Sequence, residues 1–188
     1  MREMAWTAEK INRIGLLARK EKMRTPIYKI DVPMQGSLAV MPRPRGDDWL
    51  IDEITAWGIE GIHIIVSLLE DCEISDLGLH REREFCLHCG IEFISFPVVD
   101  RGVPESTTRT FELARYLGAA VISREKVAIH CRAGIGRSAL LAACVLAVAG
   151  YDPDSAFRLI AEARGLAVPD TDAQRAWVTA FKLAIPVV

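Results

Sequence analysis

The sequence predicts an α/β fold, with a central, mainly parallel twisted sheet flanked by helices on both faces. Three observations predict it. Short runs of β-branched and aliphatic residues recur and are almost continuously apolar, as strands covered on both faces are. Longer segments with apolar residues at helical spacing lie between them. The stretches separating the two are rich in Gly, Pro, Asp and Ser, which punctuate such elements. Strands alternating with helices in this order build a parallel sheet.

Met4 to Lys20 reads as a helix with Met4, Ala8, Ile11, Leu17 and Ala18 roughly on one face, so residues 1–25 are expected to form a helical N-terminal extension. "IYKI" (Ile27 to Ile30) and "SLAVM" (Ser37 to Met41) read as short strands parted by the turn-forming "DVPMQG". "PRPRG" breaks regular structure, and Asp47 or Asp48 is expected to cap a helix running through Trp57. "GIHIIVSLL" (Gly61 to Leu69) is a buried-strand run, followed by an acidic loop. "SDLGLHREREFCLHCG" is expected to be helical up to Gly90, and "IEFISFPVV" (Ile91 to Val99) to be a strand.

A helix begins just after Pro104, and "KVAIH" (Lys126 to His130) is a compact strand. Ile135 to Ala149 reads as a buried helix with Gly150 past its end. Asp152 and Pro153 open the next helix and Gly165 closes it. The last helix runs from about Thr171 to Ile185 and stops at Pro186.

Composition bounds the function classes. A chain of 188 residues is read as one domain, able to bury a core without disulfides or metal. The net charge of −2 argues against a general nucleic-acid binder. Residues 1–24 carry seven Lys or Arg against three Glu, a mild basic asymmetry. A helix packed on the domain's flank explains this segment better than a site for a partner or anionic lipid. Five cysteines without even spacing make no disulfide framework, so a reducing cytoplasm is the expected compartment. No signal peptide is expected at the start. Ala139 to Gly150 is too short to span a bilayer, which takes about 20 residues. A soluble protein without cofactor or metal is expected, and nothing in the sequence sets its oligomeric state.

In "VAIHCRAGIGRSALLAACVLAVAG" (Val127 to Gly150) a polar turn interrupts an apolar run. With a strand before and a helix after, Cys131 to Gly136 lies at a strand's carboxyl end, where open α/β sheets place ligands. Gly134 and Gly136 let consecutive amides converge on one point, and the helix N-terminus adds unpaired N–H groups. Arg137 supplies a planar fork that grips two oxygens of a tetrahedral anion. Cys131 sits in the same positive field, which favours thiolate over thiol. The loop of Arg132, Ala133, Gly134, Ile135, Gly136 and Arg137 is therefore an anion cradle with a nucleophile at its entrance.

"HCRAGIGRS" resembles the H-C-x-x-G-x-x-R-[ST] loop of cysteine-dependent protein tyrosine and dual-specificity phosphatases, matching at every defined position. The resemblance implies that Cys131 attacks phosphorus to form a phosphocysteine. Arg137 and the loop amides would stabilise the transferring group, Ser138 would assist departure of the thiolate, and His130 would tune and orient the nucleophile. "FPVVDRGVPE" carries Asp100 at the separation where the family keeps its general acid, a role commonly worth about 10² to 10⁴ in rate. Arg101 beside it reads as a loop tether, a substrate contact or merely an exposed turn residue.

Gln174 in "DTDAQRAW" stands where some members position the hydrolytic water; it reads equally as the polar face of the last helix. Glu70 and Asp71 in "VSLLEDCE" either rim the pocket or solvate a loop. The sequence shows no tyrosine-recognition loop, which favours a shallower, dual-specificity-like site. The cysteine is not near the N-terminus, unlike that of low-molecular-weight tyrosine phosphatases and arsenate reductases.

Cys86 and Cys89 with His80 and His88 lack a second ligand pair, so buried cysteines in a packed helix are expected rather than a metal site. Cys72 is a candidate redox partner for Cys131, because an adjacent thiol protects a readily oxidised thiolate. Trp49, Trp57 and Trp177 are expected in the core or in helix packing. The leading expectation is a phosphoprotein phosphatase acting on phosphotyrosine and on phosphoserine or phosphothreonine. One alternative keeps the chemistry and changes the substrate to a phosphoinositide, an inositol phosphate or an RNA 5′ end. Arg132 is the single cation at the loop's variable positions, which keeps protein substrates ahead. A non-catalytic phosphate-binding module is the alternative of another class.

Overall fold

In a computed structural model, residues 24–185 are described. The expected helix over Met4 to Lys20, most of the 1–25 extension and Pro186 lie outside them. The apolar runs form five strands: β1 (Tyr28–Lys29), β2 (Ser37–Met41), β3 (Ile64–Ser67), β4 (Glu92–Ser95) and β5 (Lys126–His130). Their order is β1-β2-β5-β3-β4; β2, β5, β3 and β4 run parallel, and only β1 joins antiparallel. β5 is central. Its last residue, His130, is level with Met41 of β2 and Ser67 of β3, so Cys131 leaves the sheet at a shared carboxyl edge.

Period-two alternation sends side chains to both faces. Leu38, Val40, Ile64, Val66, Val127 and Ile129 pack beneath α4 (Thr107–Ile122), α5 (Arg137–Val148), α6 (Pro153–Arg164) and α7 (Asp172–Ala184). Ala39, Met41, Ile65 and Ala128 meet α1 (Leu50–Ile59) and α3 (Glu82–His88) on the other face. The expected double-sided α/β sheet is what the chain forms. Every residue of α5 from Arg137 to Ala147 is buried, which is why its sequence after the polar turn is Ala, Leu, Val and Cys144 without a charge. Burying each such leucine stabilises the fold by roughly 1.5–3 kcal/mol.

Caps fall where short polar residues precede helical spacing. The Ser106, Asp152 and Thr171 side chains accept the amides of Arg109, Ser155 and Gln174 and start α4, α6 and α7.

Four expectations change. Neither Asp47 nor Asp48 caps α1: Asp47–Trp49 forms a 3-10 turn after Gly46, and the Asp47 amide donates to the Gly78 carbonyl at 3.0 Å. The expected acidic loop is a short helix, α2 (Asp71–Asp76), closed by a Glu70/Glu73 capping box. The expected helix from Ser75 to Gly90 is broken at Gly78, whose φ of +65° no helix tolerates, and resumes only as α3. Trp57 is buried and Trp177 stacks on Phe181 at 5.5 Å, but Trp49 is 44% exposed beneath the Arg45 guanidinium. Among the described residues no helix is long and apolar enough to cross a membrane.

Candidate active site

β5 delivers His130 and Cys131 into a loop that ends where α5 begins at Arg137. Cys131 is 3% exposed. Its Sγ accepts the Gly134 amide at 3.3 Å and lies 3.5 Å from the Ser138 Oγ. Gly134 has φ +70°, and a Cβ there would stand 2.6 Å from both the Met41 oxygen and the Pro42 nitrogen. Only glycine fits, because this turn is pressed against the end of β2. On the outer side, Arg164 donates to the Gly134 and Ala133 carbonyls at 2.8 and 3.0 Å, and the Arg43 amide donates to the Arg132 carbonyl at 3.3 Å. Arg132 and Ala133 are exposed, Ile135 is half-buried, and Gly136 and Ser138 are buried.

Arg137 is buried, and its two terminal nitrogens are held by acceptors. Its Nη1 and Nη2 donate to the two Glu73 carboxylate oxygens at 2.6 and 2.9 Å, a bidentate pair that aims the guanidinium. Nη1 also donates to the Val98 and Leu68 carbonyls at 3.0 and 3.3 Å. Burial raises the Glu73 carboxyl, but the Arg137 bond, the Glu70 amide and the charges of Arg137 and Arg132 outweigh it, so the group is held below the usual carboxylate range. Burial opposes the Arg137 charge, and the Glu73 bond with the charges of Cys131, Glu73 and Asp100 more than restores it.

Asp100 meets this cluster from the opposite loop, with its Oδ1 2.8 Å from Arg137 Nη2 and its side chain 57% exposed. The Asp100 amide donates to Glu70 Oε2 at 3.3 Å. A turn follows in which the Gly102 amide donates to the Val99 carbonyl at 2.8 Å, and Arg101 is exposed with φ +58°. Gln174 is buried in the first turn of α7; its Nε2 donates to the Gly102 carbonyl at 3.0 Å. Its Oε1 has no hydrogen-bond partner and lies 3.0 Å from where a Cβ on Gly136 would stand, facing the cradle. Thus Cys131, Arg137, Ser138, Asp100 and Gln174 converge on one place.

His130 is fully buried, with Nε2 2.9 Å from Glu82 Oε1 at the start of α3. Cys72 lies on the exposed first turn of α2, lining a cleft with Glu70, Asp71 and Pro97. Cys86 and Cys144 are buried, and burial pushes both thiols up. Among the described residues no group of three or more His, Cys, Asp or Glu is placed to hold a metal ion.

Sequence reasoning missed Glu73, Glu82 and Arg164. One signal pointed to the first: the Glu70-x-x-Glu73 spacing is that of a capping box, which marks a helix start rather than a loop. Glu82 and Arg164 carried no signal, since charged residues at helical spacing are ordinarily a solvated face.

The fold is shared with known proteins. The human cyclin-dependent kinase inhibitor 3 is 26% identical over 133 residues, 70% of this chain. The match covers 61% of that relative's length. Kinase associated phosphatase, solved with its catalytic-site cysteine replaced by serine, superposes with a TM-score of 0.76 at 22% identity, covering 88% of this chain and 99% of the other. PTPMT1 in complex with PI(5)P superposes with a TM-score of 0.68 at 19% identity, covering 84% and 94%. A family model described as "Polymorphic toxin system, DSP-PTPase phosphatase" matches residues 39–151, which run from within β2 to beyond α5 and include Asp100, Cys131 and Arg137. The chain belongs to this DSP-PTPase phosphatase family and has the dual-specificity and tyrosine phosphatase fold.

Proposed function

We propose that the protein is a cysteine-dependent phosphoprotein phosphatase, hydrolysing phosphotyrosine and also phosphoserine or phosphothreonine through a phosphocysteine intermediate. The observation that carries this reading is the convergence at Arg137: it closes the loop that begins at Cys131, and its Nη2 lies 2.8 Å from Asp100 on the opposite loop. A phosphate held there faces the nucleophile on one side and the acid on the other.

The Cys131 thiolate attacks phosphorus as the P–O bond to the substrate breaks, and Asp100 gives its proton to the leaving oxygen. Arg137 and the loop amides neutralise the charge on the equatorial oxygens. Asp100, now a carboxylate, takes a proton from water oriented by Gln174 Oε1, and the water oxygen displaces sulfur. The Ser138 hydroxyl, 3.5 Å from Sγ, stabilises the departing thiolate. His130, buried with its Nε2 2.9 Å from Glu82, orients the cysteine without exchanging protons with substrate.

The single loop cation at the variable positions, Arg132, and the absence of a tyrosine-recognition loop favour protein phosphomonoesters in a shallow site. Five free thiols support a reducing compartment. The test is hydrolysis of p-nitrophenyl phosphate, with trapping of phosphate on the Cys131 peptide. Turnover that is insensitive to vanadate, or that survives Cys131→Ser, would remove the reading. A panel of phosphopeptides, phosphoinositides, inositol phosphates and RNA 5′ ends then ranks the substrate classes.

A further inference from the structure

We propose that Arg164 is a positioning residue for this chemistry: it orients two peptides of the phosphate loop and passes its positive charge through one of them to the Cys131 sulfur. The inference rests on the thiolate reading above.

Arg164 is the last residue of α6, beyond the region that carries the loop signature. Its Nε donates to the Gly134 carbonyl at 2.8 Å and its Nη2 to the Ala133 carbonyl at 3.0 Å. In a trans peptide the C=O and N–H point to opposite sides of the chain. The Ala133–Gly134 peptide therefore has Arg164 on its oxygen and, 3.3 Å from its nitrogen, the Cys131 sulfur. One peptide bridges a guanidinium to the nucleophile. A charged donor polarises the amide beyond it, so the Gly134 N–H becomes a stronger donor to the thiolate.

The Gly134–Ile135 peptide is gripped in the same way, which turns the Ile135 N–H to the inner side where phosphate oxygens sit. Gly134 is the residue whose missing side chain leaves these peptides freest to rotate, and it is the one Arg164 brackets. Two consecutive carbonyls need a planar fork, which arginine has and lysine lacks. The guanidinium also lies 4.0 Å from the Tyr28 ring, so the β1 side chain holds the fork in place. The other groups acting on the sulfur are the Arg137 charge and the Ser138 hydroxyl. Arg164 thus supplies a second cation that reaches Cys131 without entering the substrate site.

The full chain carrying Arg164→Met or Arg164→Lys tests this, with thermal melting beside three readouts. These are iodoacetate alkylation of Cys131 at pH 6, inhibition by orthovanadate, and kcat and KM for p-nitrophenyl phosphate. Losing charge-assisted bonds of this kind predicts alkylation and vanadate affinity each about tenfold lower in the Met variant. The lysine variant recovers the alkylation rate but only part of the vanadate affinity, because it restores the charge without the fork. A folded Met variant with wild-type alkylation and vanadate inhibition overturns the proposal. If the Met variant does not fold, the lysine variant decides, and wild-type vanadate affinity there overturns it equally. Wild-type protein whose Cys131 reacts like an ordinary thiol, without vanadate-sensitive turnover, would instead sink the proposed function itself.

Discussion

The phosphate loop and the acid loop bring opposite halves of the proposed reaction and are held by opposite means. Cys131, Arg137 and Ser138 sit at the junction of the central strand and the buried helix, all nearly inaccessible. Asp100 is more than half exposed; the flanking Val98 and Val103 pack on the core, and the acid's own contacts are polar, to Arg137, to Glu70 and, through Gly102, to Gln174. The nucleophile's geometry is thus a consequence of core packing, whereas the acid's is a consequence of a few side chains. Helix α2 joins the two: Glu73 aims Arg137, and Glu70, one turn earlier, accepts the Asp100 amide.

Substitutions can break this contrast in order of size. Cys131→Ser removes the nucleophile with little change of volume, so turnover should fall to background while the melting temperature holds, a pairing read by activity and calorimetry together. Asp100→Asn should lower turnover of phenyl phosphate by about 10² to 10⁴ and that of p-nitrophenyl phosphate far less, since only the poorer leaving group needs the proton. Equal losses with both substrates would take Asp100 out of the acid role.

Glu73→Gln strikes where the two regions meet. Breaking a buried ion pair costs about 3–5 kcal/mol, measured by urea unfolding. Because the Glu73 carboxyl is held below its ordinary value in the folded protein, its contribution is fully present above about pH 4.3. It is lost as pH falls through the lowered folded value, so wild type and variant should converge in acid. A gap that persists at low pH would mean that packing, and not charge, is what Glu73 supplies. The smallest effect is expected for Glu70→Ala: losing the exposed hydrogen bond to the acid loop together with the cap on α2 should cost turnover about three- to tenfold. A loss as large as that of Asp100→Asn would show the acid loop to depend on a single contact.

Much of the site was legible where chemistry follows chain order. Cys131, Arg137 and Ser138 lie in one nonapeptide, and β5, α5 and the Asp152–Pro153 helix start carry their signals within a few residues. The acidic segment after β3 was misread because four carboxylates in seven residues look solvated. Glu73 is buried only because Arg137, 64 positions later, neutralises it. Glu82, buried beside His130, and Arg164, bonded to the loop carbonyls, likewise meet partners far away in the chain.

By itself the sequence determined the alternation of strands and helices and the cradle at the end of β5, and it named the candidate nucleophile and acid, since local spacing and side-chain chemistry suffice for these. Only the tertiary structure decided which charges leave water: Glu73 became a support because Arg137, distant in the chain, arrives to pair with it, and Glu82 is buried beside His130. A charged side chain reads the same in sequence whether solvated or paired, and its burial is affordable only once the fold supplies the partner.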